Sequence, residues 1–278
     1  MKSLKQIIHA DMENLLSKRE TEPSDGRHLP ENAFGAVKPS CPLCADHGII
    51  FEEDKNSARP CACMRQKNLR RRLRDARISG QLLECAFDQF NLEYYRQDEK
   101  NERSHLENAK KALQAAMDFT DRCTQNRSGL GLLFTGPVGS GKTFLAAAIA
   151  NALTQQGLDV LFLVVPELLD EIKSTYDKRS ETSEFDVIEA ARTVQILILD
   201  DLGAHNYTEW TINKLYSIIN YRLNAQLQTV ITTNLSVKQM DECLGDRTTS
   251  RIFEMTQGYR LSCAQDIRLL KYQQRPKL

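Results

Sequence analysis

GPVGSGKT, residues 136–143, is the stretch of this sequence that decides the fold. An apolar run, LGLLFT at 130–135, precedes it and predicts a buried strand, whereas FLAAAIANALTQQG follows it and predicts a helix that ends at Gly157. A glycine-rich loop between a strand and a helix directs backbone N–H groups and a helix N-terminus towards a phosphate chain. The loop therefore predicts a binding site for a nucleoside triphosphate.

The residue types within this loop fit that function. Glycines at 136, 139 and 141 permit turns and close approaches that a Cβ atom would block. Lys142 is expected to reach the β- and γ-phosphates, and the Thr143 hydroxyl is expected to hold Mg²⁺. We predict that the following residues bind the nucleotide: Gly136, Pro137, Val138, Gly139, Ser140, Gly141, Lys142, Thr143 and Phe144.

Strand-like and helical patterns alternate along the rest of the chain. The apolar runs that predict strands lie at 130–135, 160–165, 195–199 and 228–233. The patterns that predict helices lie at 142–155, 166–176, 184–192 and 209–224. This alternation is typical of an α/β fold, in which a parallel sheet carries helices on both faces. Phosphate ligands on such a sheet bind beyond the carboxyl ends of the strands, where the 136–143 loop falls.

The composition is that of a soluble globular protein. The 278 residues include 37 basic and 37 acidic side chains, so the formal charge of zero gives no general indication of nucleic-acid binding. No run approaches the roughly 18 apolar residues that a bilayer span needs, and the N-terminus lacks the apolar segment of a signal peptide. We therefore expect a cytoplasmic protein without a membrane partner, whose eight cysteines are reduced.

Four of the eight cysteines lie within 23 positions, in the pattern C-x2-C-x16-C-x-C. Two such pairs can close on one tetrahedral Zn²⁺, although the second pair is C-x-C rather than C-x-x-C, and His47 is an alternative ligand. A disulfide framework does not suit a reduced protein, and a redox C-x-x-C needs a βαβ context that this region lacks. A four-ligand site would fold a small module rather than catalyse a reaction. The predicted zinc ligands are Cys41, Cys44, Cys61 and Cys63.

The segments around the cysteines predict a separate N-terminal domain. Residues 1–20 have the spacing of an amphipathic helix, and residues 21–40 are rich in Pro, Gly and polar residues, which is typical of a linker. Residues 64–77 predict a helix with seven basic residues and one acid. This helix either contacts phosphates or an acidic partner, or is simply a solvated face with a packing stripe. We predict an N-terminal domain at 1–80 and an ATPase domain at 81–278.

Two later motifs supply the remaining groups of a nucleotide site. ILILDDLG, at 196–203, is a hydrophobic strand that ends in two carboxylates. Asp200 suits Mg²⁺ coordination through water, and Asp201 suits the orientation and deprotonation of an attacking water. The next strand, QTVITTN, ends in Asn234, whose amide can position that water or sense the γ-phosphate. Together with Lys142, these residues predict ATP hydrolysis.

Four motifs together resemble a known family. GPVGSGKT, LILDDLG, TTN and GDRTTSRIFEM, in this order and spacing, resemble the AAA+ ATPase domain of the bacterial DnaC/DnaI replicative helicase loaders and of the related IstB transposition helper ATPases. The resemblance covers about residues 82–265. The cysteine module is similar to the zinc-binding N-terminal part of the DnaI-type loaders and their phage relatives. We expect no full helical lid domain after the sheet, because the sequence ends at Leu278.

The resemblance implies further site residues and partners. Arg251, in TSRIF, would be an arginine finger that completes the site of a neighbouring subunit, with Arg247 close by on the same helical face. Arg260 matches the family's second sensor arginine. Phe87 and Phe90 either line the adenine pocket or pack against the core. The implied cofactors are ATP, Mg²⁺ and Zn²⁺, and the implied partners are the hexameric replicative helicase, single-stranded DNA and further copies of the chain in the ATP state.

Three functions are compatible with this sequence. The first is a helicase loader that assembles when it binds ATP and releases its client when it hydrolyses ATP. The second is an IstB-like helper of a transposase, which the cysteine module disfavours. The third is a nucleotide-controlled DNA-binding regulator with little turnover, which the intact pair Asp200 and Asp201 disfavours.

Overall fold

The fold is taken from a computed structural model of the chain. It describes residues 41, 44, 49–52, 57–61, 74–96, 102–174, 183–204 and 207–274. The chain divides into two compact units, Met1–His47 and Gly48–Leu278. The predicted N-terminal helix and linker lie outside the described residues.

The second unit begins with a small hairpin. Strands β1 (Ile49–Glu52) and β2 (Ser57–Pro60) pair antiparallel, with Ile49 opposite Pro60. Of the predicted basic helix at 64–77, Arg74 and Asp75 are helical and the part before them lies outside the described residues. Three short 3-10 helices then lead towards the ATPase core, at Gly80–Glu84, Phe87–Gln89 and Leu92–Tyr95.

Strands and helices alternate through the rest of this unit. The strands are β3 (Gly131–Thr135), β4 (Val160–Val164), β5 (Ile196–Leu202), β6 (Gln228–Thr233) and β7 (Thr256–Arg260). The helices are α1 (Glu102–Thr124), α2 (Lys142–Gln155), α3 (Val165–Ser174), α4 (Glu184–Thr193), α5 (Glu209–Asn224), α6 (Val237–Leu244), α7 (Asp246–Met255) and α8 (Ile267–Gln273). The four predicted strands and four predicted helices all form, with ends shifted by two or three residues at most.

The five strands β3 to β7 form one parallel sheet in the order β4-β5-β6-β3-β7, which confirms the predicted sheet. This order places β3 between β6 and β7. The loop that follows β3 is therefore flanked by the carboxyl ends of both neighbours, and β5 lies one strand further away. The topology alone brings the ends of β5, β6 and β7 to the glycine-rich loop.

Alternating side chains of the strands point to opposite faces of the sheet and contribute to two separate hydrophobic cores. Leu132 and Phe134 of β3 pack with α1 and α2 on one face of the sheet. Leu133 packs on the other face, among apolar residues of α3 to α7. Both faces of the sheet are therefore covered by helices, as the sequence predicts. No helix within the described ranges is long and apolar enough to cross a membrane.

The sequence-based prediction lacks several elements of the core, among them β7 and α1. Strand β7, TQGYR, has a single buried residue, Thr256, because it lies at the edge of the sheet. Helix α1 presents mainly small side chains to the core, including the fully buried Ala109, Ala112 and Ala116. Neither a polar edge strand nor an alanine stripe produces a strong hydrophobic pattern.

Candidate nucleotide-binding and metal sites

The glycine-rich loop has a backbone that side chains would disrupt. Gly136 has φ of 140°, and a Cβ atom there would overlap the carbonyl oxygen of Leu261. Gly141, with φ of 92°, caps the N-terminus of α2, and a Cβ atom there would lie 2.6 Å from the Tyr95 hydroxyl oxygen. Both positions have left-handed backbone conformations that favour glycine. The loop is thus a fixed cradle with backbone amides at the start of a helix.

Segments before and after the core hold this loop in place. The hydroxyl of Tyr95 donates a 2.7 Å hydrogen bond to the carbonyl oxygen of Ser140. Burial raises the pKa of Tyr95, which keeps this donor protonated. From the other side, the backbone N–H of Ile267 donates to the carbonyl of Gly139 at 3.1 Å. The sequence gives no signal for either contact, because the partners lie 45 residues apart or more.

Lys142 is buried and makes its bonds inside the site. Its ammonium group donates to the carbonyls of Gly136 at 2.8 Å and Pro137 at 2.7 Å. It also donates to the side-chain oxygen of Asn234 at 2.6 Å. Burial lowers the pKa of Lys142, and the nearby carboxylates of Asp201 and Asp200 oppose that shift. The cation is therefore held where carbonyl partners can be exchanged for phosphate oxygens.

Asp200 forms the second buried group of the site. One of its carboxylate oxygens accepts from the Thr143 hydroxyl at 2.9 Å and from the Thr232 hydroxyl at 2.7 Å. Burial raises the pKa of Asp200, whereas these hydrogen bonds and the charge of Lys142 lower it. Mg²⁺ binds oxygen ligands, and the carboxylate of Asp200 and the hydroxyl of Thr143 supply such ligands side by side. Thr143 and Asp200 thus fit a magnesium ion, and Thr232 is a supporting residue that the sequence analysis missed.

Asp201 and Asn234 lie together beside Lys142. The amide nitrogen of Asn234 donates to Asp201 at 2.8 Å, while its oxygen accepts from Lys142. Asp201 has φ of 58°, a conformation that is uncommon for residues other than glycine. Its backbone N–H donates to the hydroxyl of Thr232 at 2.9 Å, which helps to fix that conformation. A half-buried carboxylate held in this way can orient and deprotonate a water.

The aromatic residues near the loop pack against one another. The ring of Phe90 lies 5.9 Å from that of Phe144 and 5.5 Å from that of Tyr95, between ring centroids. Phe87 packs against the same core cluster. The described contacts of Phe90 and Phe87 are those of a segment packed on the core, and they place Phe90 beside the start of α2.

The three predicted arginines occupy different places. Arg251, on α7, donates from Nε to the hydroxyl of Tyr216 at 3.3 Å and is half-buried. Arg247 is exposed on the same helix. Arg260 is exposed at the end of β7, where its Cα pairs with that of Thr135. Within the described contacts, none of the three forms a hydrogen bond with the 136–143 loop of its own chain.

The cysteines of the predicted zinc site are buried wherever they are described. Cys41 and Cys44, in the first unit, have sulfur atoms within 4.8 Å of each other. Cys61, in the second unit, is fully buried and directly follows β2. Cys63 and the alternative ligand His47 lie outside the described residues. The first two thiols are close enough to serve as one C-x-x-C pair of metal ligands.

Known proteins are similar to this chain in sequence. The sequence of the chain is similar to the replicative helicase loader DnaI of Bacillus subtilis (strain 168), with 30% identity over 129 residues, which are 46% of this chain and 40% of DnaI. It is also similar to the replicative helicase loader DnaC of Escherichia coli (strain K12), with 28% identity over 153 residues, which are 55% of this chain and 61% of DnaC. The chain therefore matches less than two thirds of the length of these relatives.

Solved structures agree with the fold. A crystal structure of DnaI superposes with a TM-score of 0.51 and 25% identity, over 66% of this chain and 91% of that one. A crystal structure of the DnaC helicase loader gives a TM-score of 0.52 and 25% identity, over 66% and 99% of the two chains. AMPPCP-bound DnaA from Aquifex aeolicus has a TM-score of 0.50 at 18% identity, over 68% of this chain and 56% of that one, a likeness of fold alone. The predicted AAA+ P-loop ATPase fold is confirmed.

One family model covers the part of the chain that carries the candidate nucleotide site. The family described as IstB-like ATP binding protein matches residues 65–254, which is more than half of the 278 residues. That range contains the glycine-rich loop, the Asp200–Asp201 pair, Asn234 and Arg251. The protein belongs to the family of IstB-like ATP binding proteins.

Proposed function

We propose that this protein is an ATPase that loads the replicative DNA helicase onto single-stranded DNA. ATP binding assembles several copies of the chain, and hydrolysis drives release. The observation that carries the ATPase activity is the chain of contacts from Lys142 through Asn234 to Asp201 at the glycine-rich loop. The names of the relatives DnaI and DnaC support the choice of client. A protein with this client acts in the cytoplasm.

The residues of the site divide the work of hydrolysis between them. Backbone amides of the loop and Lys142 bind the triphosphate and offset its negative charge. Mg²⁺ held by Thr143 and Asp200 would supply further positive charge at the phosphates. Asp201 takes a proton from the attacking water while the water oxygen bonds to the γ-phosphorus and the bond to the ADP oxygen breaks. Asn234 keeps the carboxylate of Asp201 in position for that step.

Arg251 acts on the nucleotide of a neighbouring copy in this proposal. Its guanidinium forms no ion pair with an acid among the described residues, so its charge is available to another molecule. A planar guanidinium suits the charge that spreads over phosphoryl oxygens in the transition state. Arg247 supports Arg251 from the same helix. Arg260, beside the chain's own loop, senses the nucleotide in cis.

Residues 1–80 bind the helicase in this proposal, and a zinc ion folds their cysteine module. The burial of Cys41, Cys44 and Cys61 supports ligation by thiolates. Cys41→Ser should remove the zinc that copurifies with the protein, at about one ion per chain. Cys243→Ser, which changes a solitary cysteine, is the matched control and should keep it. Equal zinc content in both variants would exclude Cys41 as a ligand.

An IstB-like helper of a transposase is the second candidate, because the family description favours it. The two functions share the ATPase site and differ in the client. Copurification with a hexameric replicative helicase separates them: a complex that depends on residues 1–80 supports the loader, and its absence removes that client.

ATP turnover tests the enzymatic proposal directly. Lys142→Ala and Arg251→Ala should both abolish hydrolysis, measured with and without single-stranded DNA. Lys238→Ala, which changes a surface lysine with an 88% exposed side chain, is the control and should hydrolyse ATP normally. Normal turnover in the first two variants would refute the catalytic roles. ATP binding without turnover in the unsubstituted protein would favour the nucleotide-controlled DNA-binding regulator.

A further inference from the structure

Tyr216 holds the guanidinium of Arg251 by two different contacts. The Tyr216 hydroxyl accepts a hydrogen bond from Nε of Arg251 at 3.3 Å. The guanidinium carbon also lies 5.4 Å from the centroid of the Tyr216 ring, within the range of a cation–π interaction. One contact is made by Nε and the other by the delocalised charge of the guanidinium group. Together they restrict the position of the group.

This arrangement leaves the outer end of Arg251 available. Its described hydrogen bond uses Nε, so the two terminal nitrogens have no hydrogen-bond partner among the described residues. A neutral aromatic partner, unlike a carboxylate, leaves the positive charge uncompensated. An arginine that keeps two parallel donors and its full charge is suited to bidentate contact with phosphoryl oxygens.

The helix that carries Tyr216 is firmly anchored. Leu215, Ile218 and Ile219 of α5 are almost completely buried in the core on that face of the sheet. The Tyr216 ring itself is half-buried and borders an open cavity of about 560 Å³. Tyr216 is thus a rigid support at the surface, with space beside it for another molecule.

We propose that Tyr216 is a positioning residue that aims Arg251 at the nucleotide of a neighbouring copy of this chain. The proposal rests on the function proposed above, in which Arg251 completes a site in trans. Tyr216 itself touches neither the nucleotide nor the reacting atoms. Its loss lowers catalysis because a small misplacement of a catalytic group is costly.

Mixed oligomers can test this role with a directional readout. Lys142→Ala subunits lack a working site but carry the finger, whereas Arg251→Ala subunits carry the site but lack the finger. A mixture of the two should regain ATP hydrolysis that neither shows alone. Tyr216→Leu should lower the regained rate about tenfold when it is placed in the Lys142→Ala subunit. The same change in the Arg251→Ala subunit should leave the regained rate unaltered, because that subunit has no finger to position.

Two further variants sharpen the result. Tyr216→Phe keeps the ring and removes only the hydroxyl acceptor, so it should give an intermediate rate in the finger-donating subunit. Tyr221→Phe, on the same helix and the same cavity, is the matched control and should have no effect in either subunit.

The outcomes separate the two proposals. Equal loss from Tyr216→Leu in both subunits would show a general structural role and overturn the positioning role. Full activity of Tyr216→Leu in the finger-donating subunit would overturn it as well. The mixture of Lys142→Ala and Arg251→Ala subunits that both keep Tyr216 is the reference. If it does not regain hydrolysis, Arg251 does not act in trans, and the role of Tyr216 is overturned with it.

Discussion

Two buried cations lie at opposite ends of the parallel sheet, and they differ in what surrounds them. Lys142 follows β3 at the carboxyl end, where the glycine-rich loop turns into α2. Arg222, near the end of α5, lies at the amino end, beside the starts of β5 and β6. Lys142 is 6% exposed and Arg222 is completely buried, so burial alone does not distinguish a functional cation from a structural one.

The partners of Arg222 are almost all fixed backbone groups. Burial without a carboxylate partner lowers its pKa to about 9. Its guanidinium joins the end of α4 and the residues that lead into β5 to the first residues of β6, and it offsets the partial negative charge of the α4 C-terminus. The groups that accept its hydrogen bonds are the carbonyls of Ala191, Arg192, Val194, Gln195 and Gln228 and the hydroxyl of Thr229.

The partners of Lys142 are of a different kind. Two carbonyls and the hydroxyl of Ser140 accept from it within the loop that precedes it by only a few residues. Its fourth acceptor is the side chain of Asn234. Two carboxylates, Asp200 and Asp201, act on it without forming a hydrogen bond to it in the described contacts. Arg222 is held almost entirely by backbone carbonyls, which cannot move away without disturbing the fold. Two of the acceptors of Lys142 are carbonyls of the flanking loop, and these can be exchanged for the oxygens of a ligand. This difference supports the proposed role of Lys142 in nucleotide binding and a structural role for Arg222.

Lys142→Ala should have the largest effect on activity. Removing one preorganised charge from the phosphates should lower the rate of ATP hydrolysis about a thousandfold, or about 4 kcal/mol in activation free energy. Steady-state turnover measures this loss. A fall of less than about tenfold would show that Lys142 is not part of the catalytic machinery. The proposed difference between Lys142 and Arg222 would then be wrong.

Arg222→Met should have the largest effect on stability. The substitution leaves several buried carbonyls without a donor, so the free energy of unfolding should fall by about 3 kcal/mol. Urea unfolding measures the change, with Lys238→Ala as a surface control. The folded fraction of Arg222→Met should still bind ATP with the affinity of the unsubstituted protein. An unchanged unfolding curve would show that Arg222 is not a structural tie.

Thr232→Val should have a smaller effect on ATP hydrolysis than Lys142→Ala. The substitution keeps the shape of the side chain but removes the hydroxyl that bonds to Asp200 and to the backbone of Asp201. Because both acids lose support, the rate of hydrolysis should fall about tenfold. Thr120→Val, at a buried threonine of α1, should leave the rate unchanged. Equal rates in both variants would mean that Thr232 does not hold the acids in place.

Local sequence patterns predict part of the nucleotide site. The sequence predicts five residues of the site because each lies in or directly after a strong local pattern, either the glycine-rich loop or a hydrophobic run. These residues are Lys142, Thr143, Asp200, Asp201 and Asn234. The parallel strand order then brings them together without further information. Local patterns of this kind predict both the strands of the sheet and the polar residues at their carboxyl ends.

Arg222, Tyr95, Thr232 and Tyr216 were missed for a common physical reason. Each acts through a contact with a residue that is distant in sequence, such as the 45 positions between Tyr95 and Ser140. Their own segments look like ordinary helix or strand positions, and a buried arginine bonded to carbonyls has no motif. Such residues are identified only when the fold places the partners side by side.

Thermal unfolding with and without Mg-ATP tests the central claim most directly, because it reports on both ends of the sheet at once. The unsubstituted protein should gain about 5 °C in its unfolding midpoint with saturating ATP. Lys142→Ala should unfold at the original temperature and gain nothing. Arg222→Lys should unfold at a lower temperature and gain as much as the unsubstituted protein. A full gain in Lys142→Ala, or no gain in folded Arg222→Lys, would contradict the assignment of the nucleotide site to the carboxyl end of the sheet.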